Sequence, residues 1–274
     1  MTITTPRPEL DELLTGMGAG GSRICEIDAS EAGAGNISVY VDWELDVSGS
    51  LTETSRIELP VPVPALAGGT LLVTGSGRRL RQIEANPLAA VGAVLVHPGG
   101  RTGTLHTSPQ RLFTNLTSEL NSHLAVHQDQ VFRRGVTFQA VVHAQPMNLT
   151  YLSHIPSYRS TPALNARLLR WEPETVVSLA AGVGVLDFEV PGSAEMMAAN
   201  VEGLRTHEIV LWSKHGVMAR SDLSVTRAVD RIEYAETAAK YEYMDLVAGS
   251  RAEGLTRDEI KRVAHEFGID SPWI

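Results

Sequence analysis

Two histidines stand at the ends of apolar segments, where a folded sheet could present them together. His143 ends the segment VTFQAVVH, and His215 follows IVLWSK. Neutral imidazole is a common ligand of divalent metals, so this pair could hold one ion. Gln145 would point to the same side as His143, because side chains alternate along a strand. A lone histidine at a strand end is more often a hydrogen-bonded structural residue, and the pattern alone leaves that explanation open.

Three further clusters could contribute to a reaction. AGAGNIS (32–38) and VTGSG (73–77) are glycine-rich turns that flank strand-like segments, and TSEL (117–120) opens a helix-like segment. Small-residue turns and helix N-termini present N–H groups and hydroxyls that suit a phosphate. Glu119 is suitably placed to act as acid or base. Each cluster alone has a structural explanation, but together they could polarise a carbonyl and move a proton beside it.

Composition is that of an ordinary globular protein. The chain has 274 residues, 43% hydrophobic and 20% charged, with a net charge of −9. The pairs at 78–79 and 133–134 are too short to form a basic stripe, so no nucleic-acid partner is expected. The single cysteine, Cys25, excludes an internal disulfide and fits a reducing compartment. The N-terminus lacks the apolar core of a signal peptide, and the prolines of LPVPVP exclude a spanning helix, so a cytoplasmic protein without membrane contact is expected.

Strand-like and helix-like segments alternate irregularly, without an internal repeat. This predicts an α/β fold, one domain over 1–274, with a mixed central β-sheet flanked by helices. Strands are expected in NISVYVDWELDV, with a hairpin into LTETSRIEL as one option, and in GTLLVTGSG, AVGAVLVHPGG, 136–143, TVVSLAAGVGVL and HEIVLWSKHGVMA. Helices are expected in PELDELLTGM, in 118–134 with Ser118 as N-cap, in short pieces before 170, in 193–206 and in two C-terminal segments.

The order of these blocks resembles the class II aldolase/adducin family. The matching segments are GNIS, VTGSG, TSEL, the strand ending at His143, RWE (170–172), GVGVL, VPGS, IVLWSKHGV and the C-terminal helices ending in HEFG. No single segment is decisive, but nine in order are specific. The likeness covers the chain from about residue 30 to residue 270.

The resemblance implies a homotetramer with active sites between subunits. It also implies a zinc ion that chelates dihydroxyacetone phosphate, and a lyase reaction on a phosphorylated ketose such as rhamnulose 1-phosphate that yields this compound and an aldehyde. By the same resemblance, Glu119 is the catalytic acid/base, and Glu172 is a carboxylate that reaches a neighbouring subunit's site. The implied metal ligands are His143, Gln145 and His215. The implied phosphate-binding residues are Gly35, Asn36, Ser76, Gly77, Thr117 and Ser118.

Two positions depart from the family pattern. The family has His-x-His at the strand end, whereas this chain has HAQ at 143–145. A glutamine oxygen is a weaker zinc donor, so affinity would fall or selectivity would shift toward Mn²⁺ or Mg²⁺. His154 is an alternative ligand. The first loop reads GAGN (33–36) in place of Asn-Gly-Gly-Asn, which removes one amide that could contact phosphate.

Two other functions stay open at this point. One is a non-catalytic, adducin-like binding protein with a degraded metal site. The other is a different lyase or isomerase on the same scaffold, with a Schiff base at Lys214 as a minor version. The remaining histidines have structural interpretations: His97, His106, His123 and His265 on the surface or a helix face, and His127 partly buried. Tyr234, Tyr241 and Met244 are expected in the core or in subunit contacts.

Overall fold

The computed structural model describes residues 7–274. Residues 1–6, part of the segment interpreted above as lacking a signal peptide, lie outside the described residues. The strands are β1 Asn36–Val41, β2 Glu53–Glu58, β3 Thr70–Thr74, β4 Val91–Val96, β5 Thr102–Thr107, β6 Phe138–Ala144, β7 Val183–Leu186, β8 Ile209–Trp212 and β9 Gly216–Ser221. They form one sheet in the order β2-β5-β4-β3-β1-β6-β9-β8-β7. Only β7 and β8, among these strands, pair in parallel.

Helices cover both faces of this sheet. They are α1 Leu10–Glu26, α2 Pro87–Ala90, α3 Leu120–Arg134, α4 Met147–Leu152, α5 Thr161–Leu168, α6 Pro173–Ser178, α7 Ala194–Thr206, α8 Val225–Val247 and α9 Arg257–Glu266. The predicted fold class, an α/β protein with a mixed sheet flanked by helices, is confirmed. Among residues 7–274, no helix combines the length and the apolar character needed to span a bilayer.

Strand β1 lies at the centre of the sheet and is buried along its whole length. Its odd-numbered residues, Ile37, Val39 and Val41, join the core formed with α1 and α8. Its even-numbered residues face the opposite side, where Tyr40 packs in a second core with Leu124 of α3. This alternation places Asn36 and Ser38 on the face that α3 covers.

At one end of the central strands, the starts of β1 and β9 lie beside the ends of β3 and β6. Because β1 runs antiparallel to both β3 and β6, the start of β1 lies beside the ends of those two strands. Asn36 pairs with His143, and Ala144 pairs with Val217 at the start of β9. The loop before α3 joins the same edge, since Thr117 N–H donates to the Thr74 carbonyl at 3.0 Å. The clusters found in the sequence therefore meet at one place.

Four local predictions are wrong. Segment 36–47 does not form a hairpin with β2, because β2 is an exposed strand that pairs with β5. The first residues of TVVSLAAGVGVL (175–186) are helix rather than strand, because α6 continues to Ser178, and only the end of the segment forms β7. The segment 209–217 is two strands, with His215 in the turn between them. The N-cap of α3 is Glu119, not Ser118, and its side chain does not cap the helix.

Candidate active site

A cavity of about 170 Å³ opens at the edge where these strand ends meet. It is lined by the turns 33–36 and 75–78, by residues 117–119, and by His143, Gln145 and His215. The structure therefore brings together every implied metal ligand, every implied phosphate-side residue and Glu119. Since these segments are distant in sequence, the antiparallel register of the central strands is what assembles the site.

Glu119, His143 and His215 form a compact cluster within the cavity. One ligand atom from each of them lies within 4.8 Å of the others. A carboxylate with two imidazoles is a donor set that catalytic zinc sites use. The sequence assigned Glu119 only to acid/base chemistry, and its position also permits coordination.

The ring of His143 is held as a ligand would be. Its Nδ1–H donates to the Val217 carbonyl at 2.8 Å, and the indole of Trp212 stacks on it at 4.4 Å between ring centroids. A hydrogen bond from one ring nitrogen to a carbonyl leaves the other nitrogen with its lone pair, which is the usual arrangement of metal-binding histidines. The other ring nitrogen, Nε2 of His143, lies 3.7 Å from Glu119 Oε2.

His215 is presented by the turn between β8 and β9. Lys214 takes a positive φ of 66°, and its N–H donates to Ser153 Oγ at 2.7 Å, which anchors the turn. Burial, followed by the nearby His143, lowers the pKa of His215, so the neutral ligand form is favoured. Its Nδ1 is buried and finds no hydrogen-bond partner among residues 7–274. A buried nitrogen without a partner, on a ring whose centroid lies 5.1 Å from that of His143, fits a metal site.

Glu119 is buried, and Asn36 orients it. The Asn36 Nδ2–H donates to Glu119 Oε2 at 2.8 Å. The carboxylate thus lies between an amide donor and the imidazole of His143. A carboxylate held in this way can accept a proton from a substrate carbon at the cavity mouth.

Gln145 follows the last residue of β6. Its N–H donates to the Ala29 carbonyl at 2.8 Å, and its side chain lies over Gly216, where a Cβ would come within 3.1 Å of Gln145 Cγ. The glutamine lines the cavity described above and also a larger cavity of about 720 Å³ that adjoins it. Gln145 thus lines the same cavity as His143 and His215.

The rim formed by the two glycine turns differs in detail from the expected one. Gly35 and Gly77 take positive φ values of 84° and 70°, which glycine adopts without strain. The N–H groups of Ser76 and Thr117 are used in bonds between the loops. Hydroxyl groups, rather than those N–H groups, are what this part of the rim offers to an anion.

Arg78 is a residue that sequence reasoning missed. It lines the cavity directly after the turn 75–77, and its buried Nε has no partner in the described part of the chain. The sequence analysis considered Arg78 only as half of a basic pair. Its position immediately after VTGSG was the signal that could have identified it, because a guanidinium there can bind a phosphate in two places.

The other candidates lie outside this cavity. Glu172 is the N-cap residue of α6, and burial followed by Glu174 raises the pKa of its carboxyl group. Lys214 is exposed at its turn. His154 lines the larger adjoining cavity together with Gln145 and His215.

Comparison with known proteins identifies the family. Residues 21–243 match the family described as the class II aldolase and adducin N-terminal domain. The chain belongs to this family. It is accordingly an enzyme of the lyase class, a class II aldolase, and the expected resemblance is confirmed.

Individual relatives agree with this assignment. The rhamnulose-1-phosphate aldolase of Citrobacter koseri is 28% identical over 248 residues, which cover 87% of each chain. A sugar-phosphate aldolase from Thermotoga maritima has a similar structure, with a TM-score of 0.74, 27% identity and coverage of 89% of this chain and 98% of that one. The L-fuculose-1-phosphate aldolase of Thermus thermophilus shares the fold at a TM-score of 0.55 and 19% identity, covering 89% and 100% of the two chains.

Proposed function

We propose that this lyase is metal-dependent and acts on a phosphorylated ketose, with rhamnulose 1-phosphate as the first candidate substrate. The products would be dihydroxyacetone phosphate and an aldehyde, and the reverse reaction would form the carbon–carbon bond. One observation supports this most. Glu119, His143 and His215 lie together in a cavity that is also lined by Arg78 and by the hydroxyl-bearing residues Ser76, Thr117 and Ser118.

His143 and His215 would hold the metal, with Gln145 as a third donor. Zn²⁺ is the first candidate because both nitrogen ligands are imidazoles, and Mn²⁺ or Mg²⁺ are the alternatives because Gln145 offers oxygen. A bound divalent ion would supply Lewis-acid polarisation of a substrate carbonyl.

Glu119 would move the proton. In the synthetic direction its carboxylate accepts the proton from the carbon next to the polarised carbonyl. In the cleavage direction Glu119 returns that proton to the same carbon. Burial of the carboxylate excludes bulk water from this transfer, since Glu119 is only 5% exposed.

The phosphate would bind at the turns opposite the histidines. The hydroxyls of Ser76, Thr117 and Ser118 and the turns at Gly35 and Gly77 surround the space, and Arg78 adds a positive charge. Asn36 lies on the same rim, although its amide is already hydrogen bonded to Glu119. We assign it to the carboxylate first and to the phosphate second.

The adjoining larger cavity would take the aldehyde part of the substrate. It shares Gln145 and His215 with the metal side, and it adds polar groups from Asp28, Glu31 and His154. The lining also includes Met147 and Tyr151, so this cavity offers both polar groups and apolar contact to the aldehyde part.

We retain the homotetramer, with Glu172 reaching a neighbouring subunit's site, as part of the proposal. Large apolar side chains are exposed side by side on α4 and α8, as an interface requires. They are Met147, Tyr151, Tyr243, Met244 and Val247, with exposed fractions from 38% to 71%. A reducing cytoplasm is the compartment that the single Cys25 favours.

The test combines metal analysis with kinetics on rhamnulose 1-phosphate and fuculose 1-phosphate. We expect about one zinc or manganese ion per chain, lost in His143→Ala, and activity that disappears with a chelator and returns with the metal. Glu119→Gln should reduce kcat about 10²- to 10⁴-fold while leaving the fold intact. Glu26→Gln, at an exposed ion pair with Arg23, is the matched control and should retain full activity.

Three outcomes would overturn the proposal. They are a normal rate in Glu119→Gln, an unchanged rate in fully chelated protein, and equal rates on phosphorylated and unphosphorylated ketoses. A wild type that binds no metal, together with a Gln145→His variant that does, would identify a decayed metal centre.

A further inference from the structure

A continuous chain of buried polar side chains lies behind Glu119. Ser38 Oγ lies 2.6 Å from His123 Nδ1 and 2.7 Å from His127 Nε2, and His127 Nδ1 lies 3.0 Å from Gln139 Oε1. At the other end, His123 Nε2 is hydrogen bonded to Asn36 Oδ1. Ser38, His123, His127 and Gln139 are all 0% exposed. We name these four residues and Asn36 the polar chain.

The polar chain connects β1 with α3 and β6, two consecutive elements that lie about 80 to 100 residues further along the chain. Asn36 and Ser38 are two residues apart on β1, while His123 and His127 are four residues apart on α3. These intervals match, because two residues of strand and four of helix each advance about 6 to 7 Å. Gln139 lies on β6, in register with Tyr40 of β1. Burying so many polar groups costs free energy, and each needs a partner.

Both imidazoles of the polar chain are neutral. Burial lowers the pKa of His127 to about 3 and holds the pKa of His123 well below its usual 6.5. A neutral imidazole carries one N–H and one lone pair. The direction of each hydrogen bond therefore determines the direction of the next.

The contact with Glu119 sets this direction. Asn36 gives its N–H to the carboxylate, so its oxygen accepts from His123 Nε2–H. The bare His123 Nδ1 then accepts from the Ser38 hydroxyl, and Ser38 Oγ accepts from His127 Nε2–H.

At the far end, the bare His127 Nδ1 needs a donor. Rotating the Gln139 amide group by a half-turn exchanges its oxygen and nitrogen, so that its N–H group donates to His127 Nδ1. Both orientations of a glutamine amide fit the same space. In the unrotated position, its Nε2 is buried without a partner in the part of the chain that the structure describes. An amide oxygen is tolerated there better than an unpaired N–H.

We propose that the polar chain is a positioning device for Glu119. Ser38, His123, His127 and Gln139 hold the Asn36 amide so that its N–H faces the carboxylate and its oxygen does not. Rotation of this amide would bring two oxygens together and push Glu119 away from His143. None of the four residues touches the substrate cavity, so they act through Asn36.

The first test reads the tautomers directly by nitrogen NMR of full-length protein labelled with ¹⁵N-histidine. Both His123 and His127 should carry their proton on Nε2, with assignments from His123→Gln and His127→Gln. A proton on Nδ1 of His123 would overturn the proposal. This arm requires neither substrate nor turnover, so it remains decisive even if the proposed aldolase function fails.

The second test is kinetic and rests on the proposed function. His127→Leu should lower kcat about 10- to 100-fold with KM unchanged, as losses of groups that orient active-site ligands do. His127→Gln, which keeps a donor and an acceptor, should restore most of the rate. His97→Gln, in the β4–β5 hairpin, is the control and should have normal kcat.

Thermal unfolding separates this role from a purely structural one. A lower melting temperature in His127→Leu with an unchanged kcat for the folded enzyme would overturn the proposal, as would equal rates in the leucine and glutamine variants. If the leucine variant does not fold, Gln139→Leu gives the same comparison from the far end of the polar chain.

Discussion

Acidification should destabilise the fold through His123 and His127. In the folded protein both stay neutral, because burial holds the pKa of His127 at about 3 and that of His123 well below 6.5. In the unfolded chain each titrates near 6.5. The folded pKa values are depressed, so the stability these groups contribute is complete above pH 6.5 and is lost as the pH falls below it.

The magnitude follows from proton linkage. Between about pH 7 and about pH 5 the unfolded state binds nearly one more proton per histidine than the folded state does. The free energy of unfolding should therefore fall by about 2 kcal/mol through His127, and His123 adds a loss of the same sign. The figure for His127 requires only that its folded pKa lies below 5.

Urea denaturation at the two pH values, followed by tryptophan fluorescence, measures this change. Trp212 is completely buried and reports on the core beside the site. Other groups and metal release also respond to acid, so the decisive quantity is the difference between wild type and His127→Gln. The variant should lose about 2 kcal/mol less than wild type over the same range. An equal loss in both proteins would refute the argument that His127 is held neutral by burial.

Of three further predictions, two concern the site and one concerns α1. Gly216→Ala should lower the free energy of unfolding by about 1 to 3 kcal/mol and weaken metal binding, because its Cβ would overlap the Ala144 carbonyl and press on His143. At Gly16 in α1, an added Cβ would meet none of the described atoms within 4 Å. Gly16→Ala should therefore raise the free energy of unfolding by about 0.5 to 1 kcal/mol, measured by urea denaturation. Arg78→Ala should raise the inhibition constant of inorganic phosphate about 10- to 100-fold with little change in kcat. Unchanged phosphate inhibition in this variant would remove Arg78 from the phosphate site.

Sequence patterns predicted the elements better than their pairing. The apolar runs at β3 and β4 and the helical spacing in α7 and α8 are local signals, and the structure has these elements where they were expected. The hairpin into β2 failed because β2 is an edge strand whose partner, β5, is about 50 residues away. The sequence of either strand alone does not indicate a pairing partner that lies so far along the chain.

The site shows the same division between local and distant information. Glu119, His143 and His215 could be named from their segments, and the structure brings them together. His123 was expected on a surface or a helix face, and His127 was expected to be partly buried, yet both are completely buried. Their partners come from β1 and β6, so no pattern within α3 distinguished a buried histidine from a solvated one.

The match between β1 and α3 also has a consequence for folding accuracy. If β1 shifted by one residue against its neighbours, Asn36 and Ser38 would turn to the opposite face of the sheet. Two neutral imidazoles would then be enclosed without their β1 partners, at a cost of about 1 to 3 kcal/mol each. An apolar β1 would tolerate such a slip far better, because one aliphatic side chain replaces another. The polar residues behind the carboxylate thus penalise misaligned sheets during assembly, before any substrate is bound.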